Sequence, residues 1–136
     1  MAVRNYKELR YTSYWQEEEE AIIFIKYAPK LAITLPIAKE LVKTRLEYTH
    51  HKKHYTVIDF TNVLRVEKEA RDYMNEEEHG LKNILAGAFL SNSIVGIFFI
   101  NLYLKINKPK VPAKFFTSKA EAVKWLQQIK SIHKQL

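Results

Sequence analysis

Residues 55–60 read Tyr-Thr-Val-Ile-Asp-Phe, with Thr61-Asn62 directly behind them. β-branched and aromatic residues fill the run, and an acid stands near its end. A strand covered on both faces in a parallel sheet has this pattern, because its apolar residues need not alternate with polar ones. Such a strand needs helices to cover it, and the flanking sequence supplies them. Upstream, Thr34 stands as a cap and Pro36 falls in the first turn, where a missing N–H is harmless. Ala38, Leu41, Val42 and Leu46 then repeat at helical spacing to about Tyr48. Downstream, Val66 to Glu78 is rich in Glu, Lys, Ala and Arg and predicts a surface helix stopped by Gly80.

The alternation continues outward. Lys82–Leu90 predicts a strand, Ser93–Ile106 a helix, Ala113–Thr117 a strand, and Lys119–Ile132 a last helix capped by Ser118, with Ala122, Val123, Leu126 and Ile129 as its buried stripe. Ahead of the first helix, Leu9–Trp15 and Ala21–Tyr27 read as two strands joined by Gln16 and the acids Glu17 to Glu20. Strands alternating with helices imply parallel pairing through right-handed crossovers. No repeat, low-complexity stretch or linker divides the chain. The expected fold is one α/β domain over residues 1–136, with an N-terminal β-hairpin at 1–28 and a mostly parallel βα core at 33–132.

Composition narrows the chemistry. With 136 residues, 47% hydrophobic and 27% charged, the chain has the make-up of one ordinary globular domain. It contains no cysteine, which removes disulfide scaffolds, thiol nucleophiles and thiolate ligands. Three glycines leave no glycine-rich phosphate loop. The longest nearly unbroken apolar run, Ile94–Ile100, is far short of the ~20 residues that span a bilayer. The opening Met1-Ala-Val-Arg-Asn-Tyr-Lys lacks the apolar region of a secretory signal. A soluble cytoplasmic protein without a transmembrane segment is expected.

The net charge of +7 is unevenly spread. Residues 1–104 carry 14 basic and 14 acidic side chains, whereas residues 105–136 carry eight lysines and one acid, Glu121. A lysine-rich tail attracts anionic partners. With no arginine there for bidentate phosphate contacts, nucleic acid is not the expected partner. His50, His51 and His54 cluster in a stretch whose lysines repel a cation, so neither a metal nor a cofactor is expected. The acidic runs Glu17–Glu20 and Glu76–Glu78 read as solvent-facing charge, because general acid–base work needs carboxylates in contrasting environments. No catalytic set is expected.

Three features remain as candidate sites. Ligands of open α/β sheets bind outside the carboxyl ends of the strands. Those positions hold Asp59, Thr61 and Asn62, then Ser91, Asn92 and Ser93, then Thr117 and Ser118. They read either as a ligand or partner edge, or as the caps and turn formers that such residues commonly are. Second, the helix Ser93–Ile106 is apolar on two sides. Val95, Phe98, Phe99, Leu102, Tyr103 and Ile106 share one broad face, and Ile97, Ile100 and Leu104 form another stripe. Leaving three aliphatic side chains in water forfeits several kcal/mol at about 25 cal/mol per Å². That second stripe therefore needs another helix, a second subunit in a homodimer, or an apolar ligand against it. Third, Arg71 could reach a strand-end carbonyl or Asp59, or pair with Glu67 one helical turn away.

These residues carry a resemblance. The alternation, with Asp59-Phe60-Thr61-Asn62-Val63 closing the central strand, resembles STAS domains, the fold of the anti-sigma-factor antagonists. The stretch from about Ile33 to Leu126 is similar to an uncharacterised bacterial family of STAS-like domains. Its hallmarks stand here as Glu69-Ala70-Arg71, Asn107-Lys108-Pro109-Lys110-Val111-Pro112, Phe115-Phe116-Thr117 and Glu121-Ala122-Val123-Lys124-Trp125-Leu126. The resemblance implies a regulatory or protein-interaction module rather than an enzyme. Its link to CRAL-TRIO-type lipid carriers makes a carrier of a small apolar ligand the alternative. In such antagonists an Asp-Ser-Ser/Thr-Gly box at a helix start is phosphorylated by a partner kinase. Here the box falls on Glu67-Lys68-Glu69-Ala70 and has no hydroxyl, so phosphorylation-based switching is not implied.

Overall fold

In a computed structural model, which describes residues 2–135, the apolar run at 55–60 lies inside a six-stranded sheet. Strands β1 (Arg4–Glu8), β2 (Thr12–Gln16) and β3 (Ile22–Tyr27) pair antiparallel in sequence order. A short β4 (Leu31–Ile33) leads into helix α1 (Leu35–Tyr48), and β5 (His54–Asp59) then lies parallel to β3. After β6 (Val63–Val66) and α2 (Lys68–Met74), strand β7 (Ile84–Leu90) pairs with β5. Helix α3 (Ile94–Leu102) leads to β8 (Ala113–Phe116), parallel to β7, and α4 (Lys119–Lys134) ends the fold. The order β1-β2-β3-β5-β7-β8 is thus a mostly parallel sheet carrying an N-terminal antiparallel hairpin, as the alternation of elements predicts.

Successive residues of a strand point to opposite faces, and the two cores divide accordingly. Ile22, Phe24, Tyr55, Val57, Ala86 and Ala88 pack under Ala122 and Leu126 of α4. Ile23, Ile25, Tyr27 and Phe89 face the other way, toward Ala38 and Leu41 of α1 and Ile100 of α3. One helix therefore covers one face, and three cover the other.

Several expectations need correcting. The stretch from Val66 is not helical at its start. Val63 and Val66, suited to strands by their β-branching, pair β6 with β4, and the Glu67 N–H donates to the Ile33 carbonyl at 3.0 Å. Strand β1 escapes notice because Arg-Asn-Tyr-Lys-Glu has no apolar alternation; it is an exposed, charged edge strand. Glu17 is buried instead of solvated. Its carboxylate meets Lys119 Nζ of α4 and the Trp15 indole N–H, while Lys130 pairs with Glu19 at 2.7 Å. The acidic turn thus docks on α4 through two of the excess lysines. His54 is no loop residue either: it opens β5, is buried, and shares a hydrogen bond at 2.9 Å between Nδ1 and the Lys52 carbonyl.

Candidate functional site

The strand-end residues that follow β5 and β7 meet through Thr61 and Asn92. Asp59 accepts from the Thr61 N–H at 2.8 Å, and Thr61 Oγ1 accepts from the Asn92 N–H at 3.2 Å. Asn62 donates to the Tyr27 carbonyl at 3.0 Å. Ser91 Oγ accepts from the Ser93 N–H, and Ser93 Oγ caps α3 by accepting from Gly96 N–H at 3.0 Å. Ser118 caps α4 through the Glu121 N–H at 3.3 Å, and Thr117 beside it is exposed. Asp59, Ser91, Ser93 and Ser118 spend their hydrogen bonds on caps and turns, and Thr61 and Asn62 spend theirs on the backbone of neighbouring segments. At the former box position Glu67 is the N-cap of the two-turn α2 without a side-chain capping bond. Lys68 pairs with Asp72, and Glu67, Lys68 and Glu69 are all exposed. Arg71 reaches a strand-end carbonyl: its Nη1 donates to Val66 at 2.6 Å.

Helix α3 does not bury its broad face as a whole: Phe99 and Tyr103 turn inward with Ile100, while Val95, Phe98 and Ile106 stay outside. Ile100 is wholly buried, which removes it from any interface, and Ile97 and Leu104 are half-buried. The exposed apolar residues are Ile94, Val95, Phe98 and Ile106, at 87, 42, 58 and 68%. Gly96 is the physical reason. A Cβ there would stand 2.4 Å from Ser91 Oγ and 2.5 Å from the Phe60 carbonyl oxygen. Only the glycine lets the helix approach on that side, and Ile100, one turn on, follows it into the core. Past Leu102 the helix loosens into a π-helical turn, Tyr103–Asn107, which ends at Lys108 with φ 49°. The Asn107 carbonyl accepts from Asn75, and Tyr103 Oη meets Asn75 Oδ1 at 3.1 Å.

The sheet and helices α1–α3 border a partly open cavity of about 70 Å³. Ile25, Ile33, Ile58, Phe60, Phe89 and Phe99 give it an apolar wall. Half-buried Met74, Pro109 and Val111 also line it. The polar groups in this wall are unusual. Arg45 of α1 is only 4% exposed and donates from Nη1 to the Gly80 carbonyl at 3.0 Å and from Nη2 to the Lys82 carbonyl at 2.7 Å. Among the described residues its Nε has no partner, and neither does Thr56 Oγ1 of β5 or Arg71 Nε. No carboxylate among the described residues lines the cavity. Burial raises the pKa of Tyr14 to about 12 and also raises those of Tyr27 and Tyr103, so these lining phenols stay neutral and supply no counter-charge. Sequence reasoning missed Arg45, although a signal exists: it follows Leu41 by four residues on the apolar stripe of α1.

Among the described residues no cluster of three or more His, Asp or Glu could hold a metal ion, and no helix is long and apolar enough to cross a membrane. Residues 14–130 match the family described as Domain of unknown function (DUF7793). Among solved structures the chain is similar to an uncharacterized protein from the DUF3478 family with a SpoIIAA-like fold, from Shewanella loihica PV-4. The two are 18% identical with a TM-score of 0.57, over 88% of this chain and 97% of that one. That likeness establishes a SpoIIAA-like, STAS-like fold. No curated protein matches the sequence.

Proposed function

This chain belongs to the DUF7793 family, and from that footing we propose that it is a non-catalytic, cytoplasmic STAS-like module that regulates through protein interaction and associates as a homodimer. The observation carrying this reading is the uncovered apolar stripe of α3, Ile94, Val95, Phe98 and Ile106, where a monomer leaves large side chains in water. Packing two copies of α3 against each other would bury that stripe symmetrically. The lack of a hydroxyl at Glu67-Lys68-Glu69-Ala70 favours a module whose association is not switched by phosphate. Light scattering on a sizing column tests it. A dimer at micromolar concentration is expected, and a monomer at every concentration overturns the homodimer.

A second reading, a carrier of a small apolar ligand, draws on the cavity beneath α1 and α3 and its apolar wall. Native mass spectrometry of freshly purified protein tests it. An added bound mass is expected, and a clean bare mass that persists after incubation with small apolar compounds counts against it.

A further inference from the structure

Arg45 brings a positive charge to the cavity wall, and none of the described residues in that wall balances it. A buried charge is costly unless it is paired, and the two carbonyls that Arg45 meets orient the guanidinium without neutralising it. We infer that the cavity takes a small monocarboxylate with an aromatic or short aliphatic body, its carboxylate seated on Arg45. The inference rests on the carrier reading above and specifies its ligand.

The donor count fits. A guanidinium offers five N–H groups in a planar fork. Two are spent on Gly80 and Lys82, and of the remaining three, Nε–H has no partner. A carboxylate accepts a pair of such donors side by side. The wall fits the body of the ligand, because it is apolar apart from a few groups, among them the unpartnered Thr56 hydroxyl. Gly87 faces that hydroxyl across the β5–β7 pair, and a Cβ there would stand 3.3 Å from Thr56 Oγ1, so the glycine keeps space around it. Size limits the body. The cavity of about 70 Å³ is about five times the ~10–15 Å³ that one water requires. Five waters, at ~30 Å³ of liquid each, occupy about the volume of a benzoate or hexanoate ion. A long-chain fatty acid does not fit. A single negative charge is favoured over two because, among the described residues, Arg45 is the one buried cation in the wall, whereas Arg71 is half-buried.

Titration calorimetry of the full chain at neutral pH, with benzoate and hexanoate set against benzyl alcohol and hexan-1-ol, tests the inference. Each carboxylate is expected to bind at least ten-fold tighter than its alcohol, and to move the amide resonances of Gly80 and Lys82. Arg45→Met is expected to reverse the preference, and Arg45→Lys, which keeps the charge and loses the fork, to weaken carboxylate binding while keeping its sign. Alcohols that bind as tightly as carboxylates to the natural protein overturn the carboxylate inference and leave the carrier reading standing. If none of the four compounds binds, both fail. The comparison on the natural protein decides the matter even if Arg45→Met does not fold.

Discussion

Phe98 and Phe99 are neighbours in the chain and meet edge to face, with ring centroids 5.1 Å apart at 81°, yet the turn of about 100° between them sends one ring outward and the other inward. Phe99 lines the cavity, and Phe98 is 58% exposed on the outer stripe. The helix is thus the one wall shared by the two proposed binding surfaces. Substitutions at the two positions should separate them. Phe98→Asp should change stability by less than about 0.5 kcal/mol, as surface substitutions do, and turn a dimer into a monomer by light scattering. Phe99→Ala should cost about 2–3 kcal/mol in urea unfolding, below the ~3–5 of a fully buried phenylalanine. A monomeric natural protein, or Phe98→Asp that still dimerises, rules the outer stripe out as the interface.

His54 should make folding sensitive to mild acid. Burial is the main cause holding its pKa at about 4, against an ordinary 6.5, with the nearby Arg45 adding to it. Between those values the unfolded chain binds a proton that the folded chain refuses. Stability is therefore full above about pH 6.5 and falls by up to ~1.4 kcal/mol per pH unit toward pH 4, about 3 kcal/mol in all. His54→Asn, whose amide can still donate to the Lys52 carbonyl, should flatten that slope. Urea midpoints at pH 7, 6, 5 and 4.5 measure it, and an equal slope in the variant assigns the effect to other groups.

The Glu17–Lys119 pair ties the N-terminal hairpin to α4. Burial by itself would raise the Glu17 pKa, but the hydrogen bond from Lys119 and that from the Trp15 indole bring it below the ordinary value, so the carboxylate is charged in place. Lys119→Ala leaves it with the indole alone. A cost of about 1–2 kcal/mol is expected, less than the ~3–5 for breaking a fully buried pair, because the lysine is half in water. Adding Glu17→Gln to Lys119→Ala should recover part of that loss. Strictly additive costs in the double-mutant cycle would mean the pair does not interact.

The βα alternation was legible because its strands and helices carry strong local patterns: unbroken apolar runs such as Tyr55–Ile58, and helical stripes such as Ala38-Leu41-Val42. What escaped detection lacked them. Arg4–Glu8 is held as a strand by its pairing with β2, and Leu31–Ile33 and Val63–Val66 are too short to declare themselves before they meet. The candidate residues at the strand ends were legible, and the candidate cavity was not. The polar strand-end residues do gather at one edge, but a gathering of Asp, Thr, Asn and Ser satisfies itself through the backbone. Arg45 was hidden because a single cation in a stripe of Leu and Val reads as the solvated border of a helix. Only the positions of Gly80 and Lys82, 35 and 37 residues away in the chain, reveal its buried partners.

Gly96 offers a test of what orients α3. In an ordinary exposed helix interior, Gly→Ala stabilises by roughly 1 kcal/mol, because alanine loses less backbone freedom on folding. Here the added Cβ would meet Ser91 Oγ, the Phe60 carbonyl oxygen and Ser93 Oγ at 2.4, 2.5 and 2.9 Å. The serine hydroxyls can rotate, but Phe60 O is backbone at the end of β5 and cannot give way without moving the strand. The sign should therefore invert, with Gly96→Ala costing about 1–3 kcal/mol, the usual penalty of overpacking. The consequence should extend beyond stability. With the helix start pushed off the sheet, Ile100 and Phe99 retreat from the core, the cavity wall loosens, and amide exchange along 96–103 quickens relative to α4. Gly96→Ala that is as stable as the natural protein, with unchanged exchange in α3, would show that the apolar stripe and not the glycine sets how this helix sits.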